Sequence, residues 1–403
     1  MNTKLWYVGL EPYESRYTLQ LTDWNVREFK RLGVDYEIVT PLMAVERDKS
    51  IGIGQVLDAV GRPVYAMGQI QSLLQLIASG KITQHDTIFF EDMFHPGLES
   101  LPYLMDQMKH GKPRVFVRCL AQTIDPDDFV NTTNMSRWMR HTEKAINEFV
   151  DGIFVASHEM LAHMGIAGWT ARAAVTGLPF NAGEVQERVN VENLASLVKD
   201  SVWQGREYQV VFAARTDWEK QPEFFIELAR YWRARHGGAV QFVIVAGKPL
   251  SSNSSSVLAA IRQAQDDGLI AVRDNLTKND YYRILLESRV LFNCALQDWV
   301  SNTVSEADSL GCNVLYPAYR SFPETFFSDH TRLYTPWSVP DAAAKLETLL
   351  ASPHANIGVI SSYQSNTVAR TLALMNDWPA NSVVPTDVGS YRAQLTKLSW
   401  RTS

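Results

Sequence analysis

Two basic residues in the second half of the chain are spaced as a phosphate site requires. Arg215 and Lys220 stand five positions apart in "VVFAARTDWEK", just before a segment with helical periodicity that begins at Pro222. Backbone N–H groups at a helix N-terminus and nearby positive charges together favour a diphosphate. We therefore expect both side chains to bind a diphosphate and to stabilise its charge as it departs. A solvated pair of surface charges is the alternative.

The stretch "CALQDWVSNTVSEADSLGCNVLYP" places two carboxylates, Asp298 and Glu306, eight positions apart before a glycine and an apolar strand. A carboxylate accepts hydrogen bonds from hydroxyl groups, so one acid can hold a ribose and the other a hexose. Asn302 is predicted to cap a helix whose N–H groups would face an anion. The residues predicted to line that anion site are Ser301, Asn302 and Thr303.

Gly247 ends the apolar stretch "VIVAGKP" at a turn from strand to loop. A glycine there permits close approach of the backbone to a ligand, and it equally permits the strand simply to end. The sequence leaves both interpretations open.

Polar residues also follow the apolar segments of the first half. Asp92 or His95 could help to deprotonate a substrate hydroxyl. A turn with a helix cap is the alternative for this Asp-x-x-His next to Pro-Gly. The polar residues concerned are Glu11, Tyr13, Glu91, Asp92, His95, Gln122, Asp125, Asp127 and Asp128.

Asp125 and Asp127 form an Asp-x-Asp that could hold Mn²⁺ or Mg²⁺ beside a nucleotide. The same residues, followed by Asp128 and Phe129, are typical of a turn and a helix start. We expect the turn, and no metal.

Short apolar segments alternate with longer amphipathic ones along the chain, which predicts an α/β fold with parallel, doubly wound sheets. The predicted strands are KLWYVGL, VDYEIVTP, DTIFFED, PRVFVRCL, GIFVAS, ARAAVTGLP, YQVVFAART, AVQFVIVAG, LIAVRD, RVLFNCA, NVLYP and TRLYT. The predicted helices span residues 16–32, 68–79, 98–110, 136–149, 222–235, 256–266, 279–287 and 303–310.

A polar stretch at about 181–205 interrupts the alternation and divides the chain into two Rossmann-like halves. Ligands of such sheets bind at the carboxyl ends of the strands. We predict one domain at 1–190, a second domain at 205–355, and a helical segment at 356–403.

The composition limits the function classes. The 403 residues include 46% hydrophobic and 20% charged residues, as in a globular protein of two domains. The net charge is −6, and the first 200 residues carry the whole deficit, with 19 basic and 25 acidic side chains. This balance disfavours non-specific nucleic-acid binding but permits a local basic cleft. The cysteines, at positions 119, 294 and 312, have no metal-binding spacing.

The first residues, "MNTKLWYVGL", have the pattern of a strand, so no signal peptide is expected. No apolar run approaches about 18 residues, so no membrane span is expected. We expect a cytoplasmic protein, and the sequence leaves a monomer and a homodimer both open.

The order Arg-x4-Lys, then acid-x7-Glu before a glycine, resembles retaining glycosyltransferases of the GT-B fold, with family 4 as the nearest class. The resemblance implies two Rossmann-like domains facing across a cleft, and a final helix that crosses back to the first domain. It implies that Arg215 and Lys220 bind the diphosphate of a nucleotide-sugar, that Asp298 contacts the transferred sugar, and that Glu306 holds the ribose. It implies a UDP-linked nucleotide-sugar as co-substrate and no further cofactor. It also implies that residues 1–190 form the acceptor domain and residues 205–355 the nucleotide-sugar domain.

The chain departs from the family at three points. Asp298 stands where the family usually has Glu, "WVSN" replaces Gly-Phe-Gly, and Gly9 alone represents the usual Gly-Gly loop. Gly9 and Gly247 are still predicted to lie near the donor. These departures affect which sugar fits.

Two basic-aromatic clusters, "MSRWMRHTEK" and "KHGKPR", could follow a phosphate backbone while a base is flipped out. A charged helix surface is the alternative. The N-terminal pattern also resembles soluble virus-type glycosyltransferases, some of which modify hydroxymethylated pyrimidines in phage DNA, so DNA is a candidate acceptor and a host cytoplasm a candidate location. The predicted acceptor-binding residues are Glu11, Tyr13, His95, Gln122, Arg137 and Arg140.

Three other functions stay open. The acceptor could be a glycan or a small molecule. The chain could instead be a GT-B-fold nucleotide-sugar epimerase, or a nucleotide-sugar binding protein without catalysis.

Overall fold

The computed structural model describes residues 3–12, 17–42, 60–197 and 199–378. The chain forms two compact units: residues up to 179 and from 366 onward belong to the first, and residues 180–365 form the second. Tyr13 lies outside the described residues.

The first unit contains a six-stranded parallel sheet in the order β2-β1-β3-β4-β5-β6. The order in which strands are added to the sheet reverses between β1 and β3, so polar residues after these two parallel strands meet at one edge of the sheet. The strands are β1 (Leu5–Val8), β2 (Tyr36–Ile38), β3 (Thr87–Phe90), β4 (Arg114–Arg118), β5 (Gly152–Val155) and β6 (Ala173–Val175).

Helices cover this sheet, and the last described helix of the chain belongs to the same unit. The helices are α1 (Tyr17–Arg31), α2 (Gly61–Ala78), α3 (Leu101–Met105), α4 (Phe129–Thr132), α5 (Ser136–Phe149), α6 (His158–Ile166) and α17 (Thr367–Asn376).

Aromatic side chains form much of the first core. Tyr7, Phe89 and Phe154 succeed one another on β1, β3 and β5, with ring centroids 5.9 Å apart at each step. Trp378, just after α17, stacks on Phe116 at 5.8 Å. A Cβ added at Gly152 would lie 2.8 Å from the Trp378 ring, so this glycine makes room for the indole.

The second unit contains another six-stranded parallel sheet, in the order β12-β11-β10-β7-β8-β9. This is the Rossmann strand order, and its switch point lies between β7 and β10. The strands are β7 (Glu207–Phe212), β8 (Gln241–Val245), β9 (Ala271–Arg273), β10 (Ser288–Phe292), β11 (Asn313–Pro317) and β12 (Leu333–Tyr334).

The helices of the second unit are α7 (Ala182–Glu187), α8 (Leu194–Leu197), α9 (Asp200–Gln204), α10 (Pro222–His236), α11 (Ser255–Asp266), α12 (Lys278–Glu287), α13 (Asn302–Ser309), α14 (Phe322–Thr325), α15 (Val339–Ala351) and α16 (Val359–Ser365).

The predicted α/β class with two Rossmann-like sheets is confirmed, and every predicted strand is present. Two predicted helices differ. Helix α2 begins at Gly61 instead of residue 68, and α3 ends at Met105 instead of residue 110. Residues 180–190, assigned from sequence to the first domain, belong to the second unit, as do residues 356–365. No helix in the described ranges is long and apolar enough to span a membrane.

Candidate functional site

Lys220 and Asp298 meet at the switch point of the second sheet. Lys220 follows β7 and Asp298 follows the neighbouring strand β10, and the Lys220 Nζ lies 3.3 Å from the Asp298 Oδ1. The Lys220 Nζ also donates to the Gln297 carbonyl at 2.5 Å. Lys220 is buried, whereas the Asp298 side chain keeps 29% of its exposure. Two residues 78 positions apart therefore form one charged centre where this fold binds ligands.

Arg215 is more exposed than Lys220 and has different partners. Its Nη1 donates to Asp217 Oδ2 at 2.6 Å, and its Nη2 donates to Glu219 Oε1 at 2.7 Å. Asn253, in the loop after β8, donates its backbone N–H to Asp217 Oδ1 at 2.8 Å. The predicted diphosphate-binding arginine is therefore held by two carboxylates.

The start of α13 differs from the prediction. Asn302 is the first helical residue, not the cap, and Ser301 occupies the capping position. The Ser301 Oγ lies 2.8 Å from the Thr303 Oγ1 and 3.0 Å from the Tyr316 hydroxyl. Because the hydroxyls of Ser301 and Thr303 bond to each other and to Tyr316, they bring the end of β11 against the start of α13.

Glu306 is almost fully buried on α13, and three donors from α12 hold it. Its Oε1 accepts from Lys278 Nζ at 2.7 Å and from Tyr282 hydroxyl at 3.1 Å. Its Oε2 accepts from Tyr281 hydroxyl at 2.9 Å. Burial, reinforced by the charge of Glu306, raises the pKa of Tyr281 well above its usual value. Tyr281 therefore remains a donor, and α12 fixes the orientation of Glu306.

Strained backbone is concentrated at this same edge. Four non-glycine residues with positive φ follow four strands: Gln221 (51°), Asn275 (56°), Arg320 (53°) and Trp337 (59°). The Trp337 indole N–H donates to the Gln221 side-chain oxygen at 3.1 Å. Such conformations cost about 1–3 kcal/mol each and are concentrated at functional sites. Strain thus marks the edge that carries Lys220 and Asp298.

Gly247 lies exposed after β8, and a Cβ built there would meet only the Leu276 carbonyl, at 3.6 Å. Packing therefore does not require a glycine at this position. The prediction that it approaches a donor stays a prediction.

In the first unit, Arg62 joins two of the predicted acids at the β1/β3 edge. Its Nη2 pairs with Asp92 Oδ2, and its Nη1 lies 3.4 Å from Glu11 Oε1. All three residues are buried. Asp92 also accepts from the Phe94 backbone N–H at 3.0 Å through its other oxygen. Asp92 is therefore part of a buried ion pair as well as a candidate site residue.

His95 is buried beside this group, and Gln69 orients it. The Gln69 amide nitrogen donates to the Gly9 and Val39 carbonyls, which leaves its oxygen to accept from His95 Nε2 at 3.0 Å. Burial, reinforced by the Arg62 charge, lowers the pKa of His95 to about 3. The imidazole is therefore neutral near pH 7, and it can accept a hydrogen bond but is a weak base.

Glu91 lies in the core of the first unit, where it forms an ion pair with Arg118. It is fully buried, and Arg118 Nε donates to its Oε1 at 2.7 Å. Tyr7 and Asn25 each donate to its Oε2 at 3.2 Å. Burial raises the pKa of Glu91, and the Arg118 charge opposes that effect. This ion pair links three strands and α1 inside the first unit.

The predicted turn at the Asp-rich stretch is present. Asp128 caps α4 by accepting from Val130 N–H, and Asp125 Oδ1 accepts from Asp127 N–H at 3.1 Å. The Gln122 side chain donates to the Met160 carbonyl at 2.9 Å. Gln122 is therefore oriented by a backbone carbonyl, and its predicted contact with an acceptor stays a prediction. Within the part of the chain that the structure describes, no group of three His, Cys, Asp or Glu side chains could hold a metal ion.

Gly9 is buried after β1, where α1 packs closely. A Cβ added there would lie 2.9 Å from Thr22 Oγ1 and 3.2 Å from the Tyr7 ring. Close helix packing accounts for this glycine, and its predicted donor contact stays a prediction.

Arg137 and Arg140 are exposed on the outer face of α5, together with Trp138. The opposite face of the helix is buried through Met139, Glu143 and Ile146. The helix therefore presents a basic and aromatic surface to solvent.

Sequence reasoning missed Arg62 and Gln69. Arg62 lies on the first turn of α2, where Gly61 and Pro63 resemble a loop, and Gln69 lies within the predicted helix at 68–79 and follows no strand. It also passed over Asp217 and Glu219. Both acids stand within four positions of Arg215 in the same short loop, and this proximity was a visible signal.

The described geometry defines a protein of the GT-B fold class, and comparison with solved structures agrees. An α,α-trehalose-phosphate synthase (UDP-forming) from Burkholderia vietnamiensis superposes with a TM-score of 0.59 at 12% identity, over 98% of this chain and 100% of that chain. A sucrose-phosphate synthase from Thermosynechococcus elongatus gives a TM-score of 0.58 at 12% identity, over 100% of both chains.

A third similar structure is the UDP-forming α,α-trehalose-phosphate synthase from Burkholderia xenovorans, in complex with glucose-6-phosphate. It gives a TM-score of 0.51 at 12% identity, over 77% of this chain and 78% of that chain. No family model matches the chain, and a search of curated proteins gives no match. At these identities the likeness establishes the fold.

Proposed function

We propose that the chain is a glycosyltransferase that moves a sugar from a nucleotide-sugar to an acceptor hydroxyl. The observation that carries the proposal is the Lys220–Asp298 pair at the switch point of a Rossmann-ordered sheet. A cation there suits a diphosphate, and a part-exposed carboxylate beside it suits a sugar hydroxyl.

In this proposal the bond from the anomeric carbon to the diphosphate oxygen breaks, and a bond to the acceptor oxygen forms. Lys220 and Arg215 stabilise the charge that develops on the diphosphate. Asp298 accepts a hydrogen bond from a hydroxyl of the transferred sugar, and Glu306 accepts one from a hydroxyl of the ribose. The acceptor oxygen attacks the anomeric carbon on the face that the diphosphate leaves, so configuration is retained. The departing phosphate takes the acceptor proton, so no protein base is needed. The weak basicity of His95 is consistent with that route.

We further propose a UDP-sugar as the donor. Two of the similar structures are described as UDP-forming synthases, and the fold that they share with this protein covers 77% and 98% of its chain. The support for a UDP-sugar is thus the similarity of the fold to these two synthases, and sugars linked to other nucleotides must be tested beside it.

For the acceptor we propose DNA that carries a hydroxymethylated pyrimidine. The support is the solvent-exposed surface of α5, to which Arg137, Trp138 and Arg140 all contribute. Arginines of this kind contact phosphates, and aromatic rings stack on bases.

The test is to incubate the protein with UDP-, GDP- and ADP-sugars and with plain or hydroxymethylated duplex DNA. The nucleosides are then weighed by mass spectrometry after digestion. We expect a nucleoside heavier by one sugar residue and one equivalent of released nucleoside diphosphate. The control is Lys220→Met, which should abolish both signals.

Parallel reactions contain glucose-6-phosphate or simple sugars in place of DNA. A sugar added only to these would overturn the DNA acceptor and keep the transferase. An isomeric nucleotide-sugar formed without any acceptor would instead indicate an epimerase. Donor binding without release of nucleoside diphosphate would indicate a binding protein.

A further inference from the structure

Arg215 is engaged by carboxylates at the atoms with which an arginine grips a phosphate. Both Nη atoms form the fork that makes bidentate contacts to phosphate oxygens. Asp217 takes one Nη at 2.6 Å, and Glu219 takes the other at 2.7 Å. An arriving diphosphate must compete with these two side chains for the fork.

The two carboxylates are fixed in place, whereas the arginine is exposed. The side chains of Asp217 and Glu219 keep 13% and 10% of their exposure, and that of Arg215 keeps 56%. Asn253 bonds to both acids, with its backbone N–H on Asp217 and its side-chain amide 3.5 Å from Glu219. The acids therefore stay near the fork when a ligand arrives.

The net charge at this edge is less favourable for an anion than that of Arg215 and Lys220 alone. Arg215 and Lys220 face Asp217, Glu219 and Asp298, so the side chains of this described cluster sum to −1. A free Arg-Lys pair would sum to +2. Removing one carboxylate would shift the balance toward a nucleoside diphosphate.

We propose that Asp217 and Glu219 are built-in counter-ions that compete with the diphosphate for Arg215 and weaken the hold on it. This inference rests on the proposed function, because it assigns a role to the acids in the same diphosphate site. A weaker hold favours release of the nucleoside diphosphate, a step that limits turnover in many transferring enzymes.

The experiment measures dissociation constants of UDP, UMP and uridine by calorimetry for the wild type, Asp217→Asn and Glu219→Gln. Each amide keeps the size of the side chain and removes its charge. We expect both variants to bind UDP about 2- to 5-fold more tightly, a gain typical of one charge near the surface. UMP should gain less, and uridine, which has no phosphate, should bind as to the wild type.

Two controls keep the outcome specific. Glu227→Gln removes an exposed carboxylate of α10 beyond its first turn and should leave UDP binding unchanged. In Arg215→Met, the further change Glu219→Gln should lose most of its effect, because the contested fork is gone.

Equal or weaker UDP binding in both amide variants, with uridine binding intact, would overturn the inference and show that the acids orient Arg215. That result leaves the proposed function in place. If the wild type binds none of UDP, GDP and ADP, the proposed function fails, and this inference fails with it.

Discussion

Lys220 and Arg215 have different surroundings, although the sequence predicted the same partner for both. Lys220 is buried and bridges Gln297 and Asp298, whereas Arg215 is more exposed and paired with two acids. A buried cation is poorly solvated, so its interaction with a phosphate is stronger than that of an exposed one. At the residue scale, Lys220 should therefore contribute more to catalysis than Arg215.

Lys220→Met should lower kcat/KM by about 10²- to 10³-fold, because it removes a positive charge from the departing diphosphate. Thermal stability should change much less, since methionine keeps the length of the side chain. Steady-state kinetics and calorimetry measure the two effects. The control is Lys248→Met, which removes an exposed lysine of the loop after β8. Normal turnover in Lys220→Met would remove the diphosphate assignment.

The lowered pKa of His95 should make the stability of the protein depend on pH in a specific way. Its folded pKa is about 3, below the 6.5 of an ordinary histidine. Between these values the unfolded chain holds a proton that the folded chain lacks. Stability should therefore fall as the pH drops from about 6.5 towards 3, by at most about 1.4 kcal/mol per pH unit from this residue.

Chemical denaturation across that range checks the prediction. In His95→Gln the slope of unfolding free energy against pH should be shallower than in the wild type. His85→Gln changes an exposed histidine and should keep the wild-type slope. Equal slopes in the wild type and His95→Gln would contradict the prediction.

At the scale of elements, strands were easier to predict than helix starts. Parallel strands covered on both faces are continuous apolar runs, and "TIFF" and "VVF" are clear examples. Helix α2 was predicted to start too late because Gly61 and Pro63 suggested a loop, although proline is tolerated in a first helical turn. Helix α6 was missed because Glu159 and His163 are buried along with its apolar residues, which hides the polar face.

The arrangement of strands and helices also decided which parts of the site could be predicted from the sequence. Residues that follow strands were placed correctly at strand ends, because chain order alone determines that. Their partners were not predictable, because Lys278 and Tyr281 reach Glu306 from another helix. Spacing along the chain contains no signal for such a contact.

Helix α5 permits a test of the DNA acceptor. Arg137→Gln with Arg140→Gln should weaken DNA binding and reduce the slope of log affinity against log salt by about 1–2, because one or two phosphate contacts are lost. Fluorescence anisotropy at several salt concentrations measures this. The matched control is Arg230→Gln with Arg233→Gln, an exposed pair at the same spacing on α10. If both pairs behave alike, α5 is not the DNA path.

At the scale of the whole molecule, each unit has its own core, and the first requires residues from both ends of the described chain. Trp378 contacts Phe116 and Phe154, at ring distances of 5.8 and 5.3 Å. Arg370 on α17 donates to the Thr176 carbonyl at 2.7 Å. The final helix is therefore part of the first core.

Trp378→Ala should destabilise the first unit by about 3 kcal/mol, the typical cost of removing a large aromatic side chain from a core. Unfolding of the second unit should be unchanged, since its core is separate. Differential scanning calorimetry resolves the two transitions. Trp138→Ala, at an exposed tryptophan of the first unit, should have a small effect. A common shift of both transitions in Trp378→Ala would contradict the separation.

The return of the chain to the first unit has a consequence for biosynthesis. During translation, residues up to 179 leave the ribosome first, yet α17 and Trp378 emerge only after all of residues 180–365. The second unit is continuous in sequence, so it can complete its core while the first still lacks a helix. The first unit is thus begun first and finished last, and a nascent chain stopped near residue 365 would expose the apolar surface that Trp378 normally covers.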